Sequence, residues 1–289
     1  MTAQPVAADT WFVQGEAALG TAANRNFISN AGFVITPHGV LVVDALGSPA
    51  LAQRLLELIR ERTSAAIRYV VVTHCHADHL YGLQVFQAIG ARIVAHAGCR
   101  DYLASDTARL RLQASRQQLA PWVDENTRLI EADEWMTGDE EREIRLGDRR
   151  FTLRHAGPAH TAEDLVVHDA ATGVTFVGDI VFRGRIPFVG QADSRRWVQA
   201  LDRLLSLNPR VMVAGHGPLS FHAAADLALT RDYLAYLRQT MGEAARNLEP
   251  FDEAYARVDW SRFAAMPLFA AANRMNAYNT YLLMEHESP

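Results

Sequence analysis

The stretch His74-Cys75-His76-Ala77-Asp78-His79 decides how this chain is interpreted, because it places three histidines and an aspartate within six positions. It directly follows the apolar run Tyr69-Val70-Val71-Val72-Thr73, which predicts a buried strand ending at the cluster. Imidazole nitrogens and carboxylate oxygens are the ligands that zinc takes in catalytic sites. We therefore predict a metal site in the loop after this strand. A polar loop with incidental histidines is the alternative.

Three further places supply candidate ligands, each at the end of an apolar stretch or in a glycine-bounded turn. His160 follows the strand-like segment Phe151-Thr152-Leu153-Arg154, and Asp179 follows the β-branched run Val174-Thr175-Phe176-Val177-Gly178. An unpaired carboxylate buried after such a run is costly, which favours a partner for Asp179. His216 lies in the turn Ala214-Gly215-His216-Gly217-Pro218. Alone, each residue has an ordinary interpretation as a turn residue, but the first motif makes a shared metal site the better interpretation.

Together these motifs resemble the metallo-β-lactamase-fold hydrolase superfamily, with a glyoxalase II-like ligand set in which an aspartate bridges two metals. The resemblance runs from about Asn26 to His216 and rests on Thr-His-Cys-His-Ala-Asp-His, Gly-Pro-Ala-His-Thr, Val-Gly-Asp and Ala-Gly-His-Gly. It implies an α/β fold, a four-layer α/β/β/α sandwich with a dinuclear metal site at one edge and extra C-terminal helices.

The resemblance also implies the role of each ligand. The first metal would be held by His74, His76 and His160, the second by Asp78, His79 and His216, and Asp179 would bridge them. Asp44, which closes the strand Val40-Leu41-Val42-Val43, matches a position that supports the ligand loop from behind. Hydrogen bonds of that kind fix the ligating tautomer of a histidine. A carboxylate in a strand-end turn is the competing interpretation of Asp44.

The ligand set predicts a dinuclear zinc hydrolase, in which a metal-bound hydroxide attacks the carbonyl of an ester, thioester, lactone or β-lactam. Asp78 is the candidate catalytic residue, because it can both ligate a metal and move a proton. The main alternative is a mononuclear iron (Fe²⁺) sulfur dioxygenase of the same fold, with His74, His160 and Asp179 as its triad. A metal-stabilised binding module without turnover is a third interpretation.

The substrate is a small molecule whose identity the sequence leaves open. Arg183 and Arg185 follow Asp179 closely and are candidate binding residues for an anionic substrate, although both also fit a turn on the rim of the site. A bridging aspartate resembles glyoxalase II and lactonases more than the antibiotic-resistance β-lactamases. The segment from Gly178 through Asp193 resembles that of bacterial hydrolases of this fold.

Composition predicts a soluble globular protein with neither a nucleic-acid partner nor a membrane partner. The 289 residues are 49% hydrophobic and 21% charged, and the net charge of −5 argues against a basic nucleic-acid footprint. No apolar stretch approaches the ~20 residues that cross a bilayer. The start of the chain has neither a basic nor an apolar signal region, so a cytoplasmic protein and a processed periplasmic form both remain open. Two cysteines are too few for a disulfide framework, and Cys75 is interpreted as a packing or loop residue near the metals.

The expected organisation is a metallo-β-lactamase-fold domain over 1–225 and a C-terminal helical extension over 226–289 that packs on the core. A helical insertion at about 101–134 interrupts the domain, and the sequence leaves open whether it covers the site. Homodimerisation is also left open. Among local elements, we predict a strand at Phe27-Ile28-Ser29 and one helix from about Leu80 to Ile89.

Overall fold

The computed structural model describes residues 1–138, 141–190 and 192–287. The strands in this part of the chain form two mixed sheets. The first sheet has the order β1-β2-β3-β4-β5-β6-β7, with β1 (Ala3–Ala7), β2 (Thr10–Val13), β3 (Ala31–Thr36), β4 (Gly39–Val43), β5 (Ile67–Val71), β6 (Arg92–His96) and β7 (Glu134–Met136). The second has the order β12-β11-β10-β9-β8, with β8 (Glu141–Leu146), β9 (Arg149–His155), β10 (Leu165–Asp169), β11 (Val174–Phe182) and β12 (Val211–His216).

Helices cover the outer face of each sheet. The first sheet packs against helices that include α1 (Pro49–Arg60), α2 (Ala77–Leu80), α3 (Leu83–Ala88), α4 (Gly98–Leu103) and α5 (Asp106–Gln118). The second packs against α6 (Ser194–Ser206) and α7 (Ala223–Arg246), and the further helices α8 (Phe251–Arg257), α9 (Ser261–Ala264) and α10 (Phe269–Glu287) join the same hydrophobic cluster outside them. Alternate side chains such as Leu41 and Phe151 fill the space between the sheets. The layers are therefore α/β/β/α, which confirms the predicted fold class.

Two of the predicted local elements are wrong. Phe27–Ser29 is a loop, because its backbone and side chains bond to the ligand loops instead of to a strand: the Ile28 carbonyl accepts from His216 Nδ1, and the Ser29 hydroxyl donates to the Asp78 carbonyl. The predicted helix Leu80–Ile89 is divided into α2 and α3 at Gly82. The backbone there lies so close to the Ala45 carbonyl that a Cβ atom would overlap it.

The insertion at 101–134 packs against the flank of the first sheet. Its residues Leu112, Leu119, Val123 and Ile130 are buried in the same hydrophobic cluster as the first sheet and α1. The Trp122 indole donates to the Ala22 carbonyl at 2.8 Å, which fixes the insertion to the N-terminal part of the chain. The insertion therefore contributes to the core of the first layer.

Among the C-terminal helices, α7 packs on the outer face of the second sheet, α8 and α10 pack on α7, and α9 packs against α10. Leu227, Leu234 and Met241 of α7 are buried together with Leu201 of α6. The aromatic residues of this region pack on one another: the Phe251 ring lies 5.0 Å from Tyr278 and 5.8 Å from Tyr281. The predicted extension reaches residues 288–289, which lie outside the described residues, and its division from the core at 225–226 stays a prediction. No helix of the described ranges combines the length and the apolarity needed to cross a membrane.

Candidate metal centre

The candidate ligands meet because both sheets present the ends of parallel strands at one edge. In the first sheet, β4, β5 and β6 run parallel, so the loops that leave their carboxyl ends lie side by side. These loops carry Asp44 after β4 and His74 after β5. In the second sheet β11 and β12 are also parallel, and they carry Asp179 and His216 near the same edge. His160 lies in the loop between β9 and β10.

Three histidines form the first half of the centre. His74 Nε2 lies 3.2 Å from His76 Nδ1, and His160 Nε2 lies 2.9 Å from the same nitrogen. Around a tetrahedral zinc ion with bonds of 2.0–2.1 Å, neighbouring nitrogens would stand about 3.3 Å apart. Both separations are therefore close to the spacing that such an ion requires.

Asp78, His79 and His216 form the second half, and Asp179 touches both. Asp78 Oδ2 lies 3.4 Å from His216 Nε2 and 3.6 Å from His79 Nε2. Asp179 Oδ1 lies 3.3 Å from His79 Nε2, and its Oδ2 lies 3.2 Å from His216 Nε2. The same Oδ2 atom lies 3.4 Å from His160 Nε2 in the first half. The structure thus brings all seven predicted ligands together, with Asp179 between the two sets.

The donor set fits metal ions on two further observations. His79 Nε2 and Asp179 Oδ1 are buried and have no hydrogen-bond partner among the described residues, which is costly unless a cation lies between them. The ligand atoms of each cluster lie within 4.8 Å of one another. Gly215 makes room for this arrangement, because a Cβ atom at that position would overlap Asp179 Oδ1.

Asp44 determines which nitrogens face the centre. Its buried carboxylate accepts from the Thr73 amide at 2.8 Å, from the Thr73 hydroxyl at 2.8 Å and from His79 Nδ1 at 2.9 Å. Because a carboxylate only accepts, Nδ1 of His79 carries the proton that it donates, so Nε2 is the nitrogen left to bind a metal. The Thr73 hydroxyl is used as a donor to Asp44, so its oxygen accepts from His74 Nδ1 at 3.1 Å. Asp44 therefore orients His79 directly and His74 through Thr73.

The protonation states of the first three histidines suit metal binding. Burial is the largest influence on His74, His76 and His160, and it lowers the pKa of each, that of His160 to about 3. These rings are therefore neutral at pH 7, as ligation requires.

For Asp179 and His79, the neighbouring charges outweigh burial in setting the direction of the pKa shift. Burial opposes the charge on Asp179, but the neighbouring histidines, chiefly His216 and His79, hold the pKa of that carboxyl well below its ordinary value. Burial likewise opposes the charge on His79, but Asp78, Asp179 and Asp44 raise the pKa of His79 well above its ordinary value. The carboxylates thus give this half of the centre a strong preference for a positive charge.

The two candidate substrate arginines have different surroundings. The Arg183 guanidinium donates to the Pro218 and Leu219 carbonyls and pairs with Asp226 at 2.8 Å, so it joins β11 to the start of α7. Arg185 is 6% exposed, and its Nη1 lies 3.4 Å from His216 Nδ1 at the centre. Of the two, only Arg185 has its charged end directed at the ligands.

Several residues of the site were not predicted from the sequence. The Phe182 ring stacks on His216 at 5.1 Å, and the Trp197 ring of α6 packs edge-on against His160 at 5.2 Å. Cys75, interpreted as a packing or loop residue, forms a disulfide with Cys99 in α4, so the loop that carries His74 and His76 is covalently joined to the helix that follows β6. The position of Cys75 between two ligands was visible in the sequence, but nothing in the sequence paired it with Cys99.

Comparison with known proteins agrees with this geometry. The family model described as the metallo-beta-lactamase superfamily matches residues 24–216. A metallo-beta-lactamase type 2 of Elizabethkingia meningoseptica is 25% identical over 195 residues, covering 66% of this chain and 69% of that protein. The acyl-coenzyme A thioesterase MBLAC2 of Bos taurus is 28% identical over 187 residues, covering 60% of this chain and 66% of that protein.

Two solved structures show how far the fold extends. A metallo-beta-lactamase from Pontibacter korlensis has a TM-score of 0.62 at 21% identity and covers 81% of this chain and 98% of its own. The sec-alkylsulfatase Pisa1 from Pseudomonas sp. has a TM-score of 0.75 at 15% identity and covers 98% of this chain and 50% of its own. The second similarity therefore includes most of the C-terminal helices. The family match spans most of the chain and its relatives are hydrolases, so the chain belongs to the metallo-beta-lactamase superfamily as a metal-dependent hydrolase.

Proposed function

We propose that this chain is a dinuclear zinc hydrolase that cleaves an ester, thioester, lactone or β-lactam with an anionic group on the substrate. The observation that carries the proposal is the position of Asp179 between two complete sets of three ligands, at 3.4 Å from His160 Nε2 and 3.2 Å from His216 Nε2. When bound, two zinc ions would supply hydroxide at neutral pH and polarise the scissile carbonyl.

The protein side chains hold this chemistry in place. His74, His76 and His160 would hold one ion, Asp78, His79 and His216 the other, and Asp179 would serve both. Burial favours a raised pKa for Asp78, but the charges of His79 and His216 have the larger combined effect and lower the pKa of Asp78. The Asp78 carboxylate is therefore ionised at neutral pH. Its side chain remains 17% exposed, unlike that of His79, which is fully buried. Asp78 is therefore placed to accept a proton from the nucleophile and return it to the leaving group.

Arg185 supports an anionic substrate. Its Nε contact with the Ile186 carbonyl is long at 3.4 Å, and its neighbour His216 Nδ1 already donates to the Ile28 carbonyl at 2.6 Å and so cannot accept. A buried guanidinium with such weak acceptors is stabilised when a carboxylate or phosphate of a substrate accepts hydrogen bonds from it. We expect Arg185→Gln to raise KM for anionic substrates with little change for neutral ones. Arg183→Gln, which removes an arginine paired elsewhere, is the matched control.

The related lactamases and the acyl-coenzyme A thioesterase define the first substrates to try. The deciding experiment measures metal content per chain by elemental analysis, together with hydrolysis of lactones, acyl thioesters and β-lactams. About two zinc ions per chain, with activity lost to a chelator and restored by zinc, would support the proposal. About one iron per chain, with oxygen consumed in the presence of a persulfide, would replace it by the dioxygenase.

An oxidising compartment, such as the bacterial periplasm, is the location we propose. The Cys75–Cys99 disulfide supports it, because such bonds persist in exported proteins and are rare where thiols are kept reduced. Alkylation of the protein in intact cells, before and after reduction, tests this location. Two freely alkylated thiols without reduction would contradict it.

A further inference from the structure

A cavity of about 540 Å³ opens beside the first set of ligands, which places any occupant within reach of His76 and His160. Its volume falls within the range of small-molecule sites. Apart from the two histidines, Thr161 and Asp193, its described walls carry no polar side chain: Pro158, Ala159, Ala162, Phe188, Val189, Gly190 and Ala192. Phe188 is 40% exposed, unusual for a large apolar side chain beside a charged centre, and its ring lies 6.5 Å from that of His160.

One wall of the cavity is held in place by the C-terminal helices. The buried Asn276 of α10 accepts from the Val189 amide at 2.9 Å and donates to the Pro187 carbonyl at 2.7 Å. Asn279 donates to the Gly190 carbonyl at 2.6 Å. Because the backbone on both sides of Phe188 is bonded in this way, the apolar wall is formed before a substrate arrives.

The cavity and Arg185 lie beside different sets of candidate ligands. The cavity touches His76 and His160 of the first set, whereas Arg185 lies against His216 of the second set. A substrate whose scissile carbonyl sits between the two sets would therefore extend one part over apolar side chains and the other toward a guanidinium.

We propose that the cavity binds the apolar acyl chain of an amphiphilic ester or thioester whose leaving part carries the anionic group bound by Arg185, with Asn276 as the positioning residue for the cavity wall. The proposal rests on the proposed hydrolytic function and specifies its substrate. Hydrolysis breaks the bond between the carbonyl carbon and the leaving sulfur or oxygen. Water adds its oxygen to the acyl carbon, and the acyl part leaves as a carboxylate. One of the two protons of water goes to the leaving thiol or alcohol, and the other is released to solvent.

Chain-length dependence tests the proposal. Acyl thioesters of 3-mercaptopropionate with two to ten acyl carbons carry the required carboxylate on the leaving thiol. Each added methylene that enters the cavity should raise kcat/KM about fourfold until the cavity is full. Released thiol can be followed directly, because the protein has no free cysteine. A flat dependence, or a decrease from the shortest chain, would overturn the assignment of the cavity.

Phe188→Ala tests the wall itself. This variant should lower kcat/KM for the eight-carbon substrate about fivefold and leave the two-carbon substrate within twofold. Phe221→Ala is the matched control, because Phe221 is 60% exposed and does not line the cavity. An equal loss at both chain lengths, or the same effect from the control, would contradict an acyl-binding wall.

Asn276→Ala tests the positioning of the wall. It should flatten the chain-length dependence, chiefly through KM for long chains. Asn273→Ala is the control, because Asn273 is equally buried on α10 and shares the Tyr233 hydroxyl with Asn276, but among the described residues it makes no hydrogen bond to the loop at 186–190. If both variants flatten the chain-length dependence equally, Asn276 acts only through the stability of α10, and its assignment as a positioning residue is overturned.

Binding of the carboxylate products separates this inference from the function on which it rests. Calorimetric titration should show octanoate binding more tightly than acetate, with the difference reduced in Phe188→Ala. If no thioester is hydrolysed but this binding pattern appears, the hydrolase proposal fails and the cavity assignment stands. If thioesters are hydrolysed without chain-length preference and the two carboxylates bind alike, the cavity assignment fails alone.

Discussion

Replacing Asp44 by asparagine should weaken metal binding although the residue touches no metal position. The introduced amide keeps a carbonyl oxygen to accept from the Thr73 amide, now at 2.8 Å from Asp44 Oδ1. Its NH₂ group, however, takes the place of the oxygen that accepts from His79 Nδ1 at 2.9 Å. Two donors cannot share that contact, so Nδ1 of His79 becomes the acceptor and its proton moves to Nε2, the atom directed at the centre.

The size of the effect follows from this tautomer change. Orienting groups behind metal-binding histidines contribute about 10–100-fold to metal affinity, which corresponds to about 1.4–2.7 kcal/mol. The ion held by His79 should lose affinity within this range. The ion held by His74 should lose less, because Asp44 reaches His74 only through the Thr73 hydroxyl. The metal-free variant should lose about 1–2 kcal/mol of unfolding free energy, since charged acceptors are exchanged for neutral ones.

Competition with a chromogenic zinc chelator measures both affinities, and urea unfolding of the metal-free protein measures stability. Thr73→Val is the complementary variant, because it removes the link to His74 and leaves the bond between Asp44 and His79. Asp169→Asn is the matched control, because Asp169 is also a buried aspartate but pairs with Arg149, away from the ligands. Unchanged affinity at both sites in Asp44→Asn would refute the tautomer argument.

The remaining predictions concern the shared ligand, the partition of ligands and the disulfide. Asp179→Ala should lower occupancy of both metal positions in elemental analysis, because its carboxylate touches both sets, and full retention of two ions would contradict a bridging ligand. His216→Ala should release one ion selectively, and equal loss of both would show that the ligands are partitioned wrongly. Replacing Cys75 and Cys99 together by serine should lower the free energy of unfolding by about 3 kcal/mol in urea, because a link across 24 positions restricts the unfolded chain, and an unchanged midpoint would show otherwise.

The local sequence predicted the strands and turns that carry ligands because their signals are local. The run ending at Thr73 and the run ending at Gly178 are apolar and β-branched, and each is a buried strand that leads into or carries a ligand position. The same reasoning failed at Phe27–Ser29, where an apolar segment is a loop. Its hydrogen bonds go to His216, which is 188 positions from Ile28 along the chain, and no local periodicity reports such a partner.

The two candidate substrate arginines also show that distant partners decide what local sequence cannot predict. Arg183 and Arg185 are two positions apart and have equivalent signals in the sequence. In the structure, Arg183 donates to backbone carbonyls and pairs with Asp226, whereas Arg185 lies against His216. Both fit a turn on the rim of the site, so their spacing alone could not separate them. The separation depends on where α7 and β12 place their own polar groups.

The sequence by itself determined which side chains are candidates to hold metal ions, their order along the chain and the α/β class that carries them. Only the tertiary structure decided that the Thr73 hydroxyl relays the orientation set by Asp44, that Cys75 is bonded to Cys99, and that Asn276 fixes the wall of a cavity 89 positions away at Pro187. The physical reason is that residue type fixes which bonds a group is able to form. Which partner it meets depends on packing between segments that are distant in the chain, and that information is present only once both sheets and their helices have assembled.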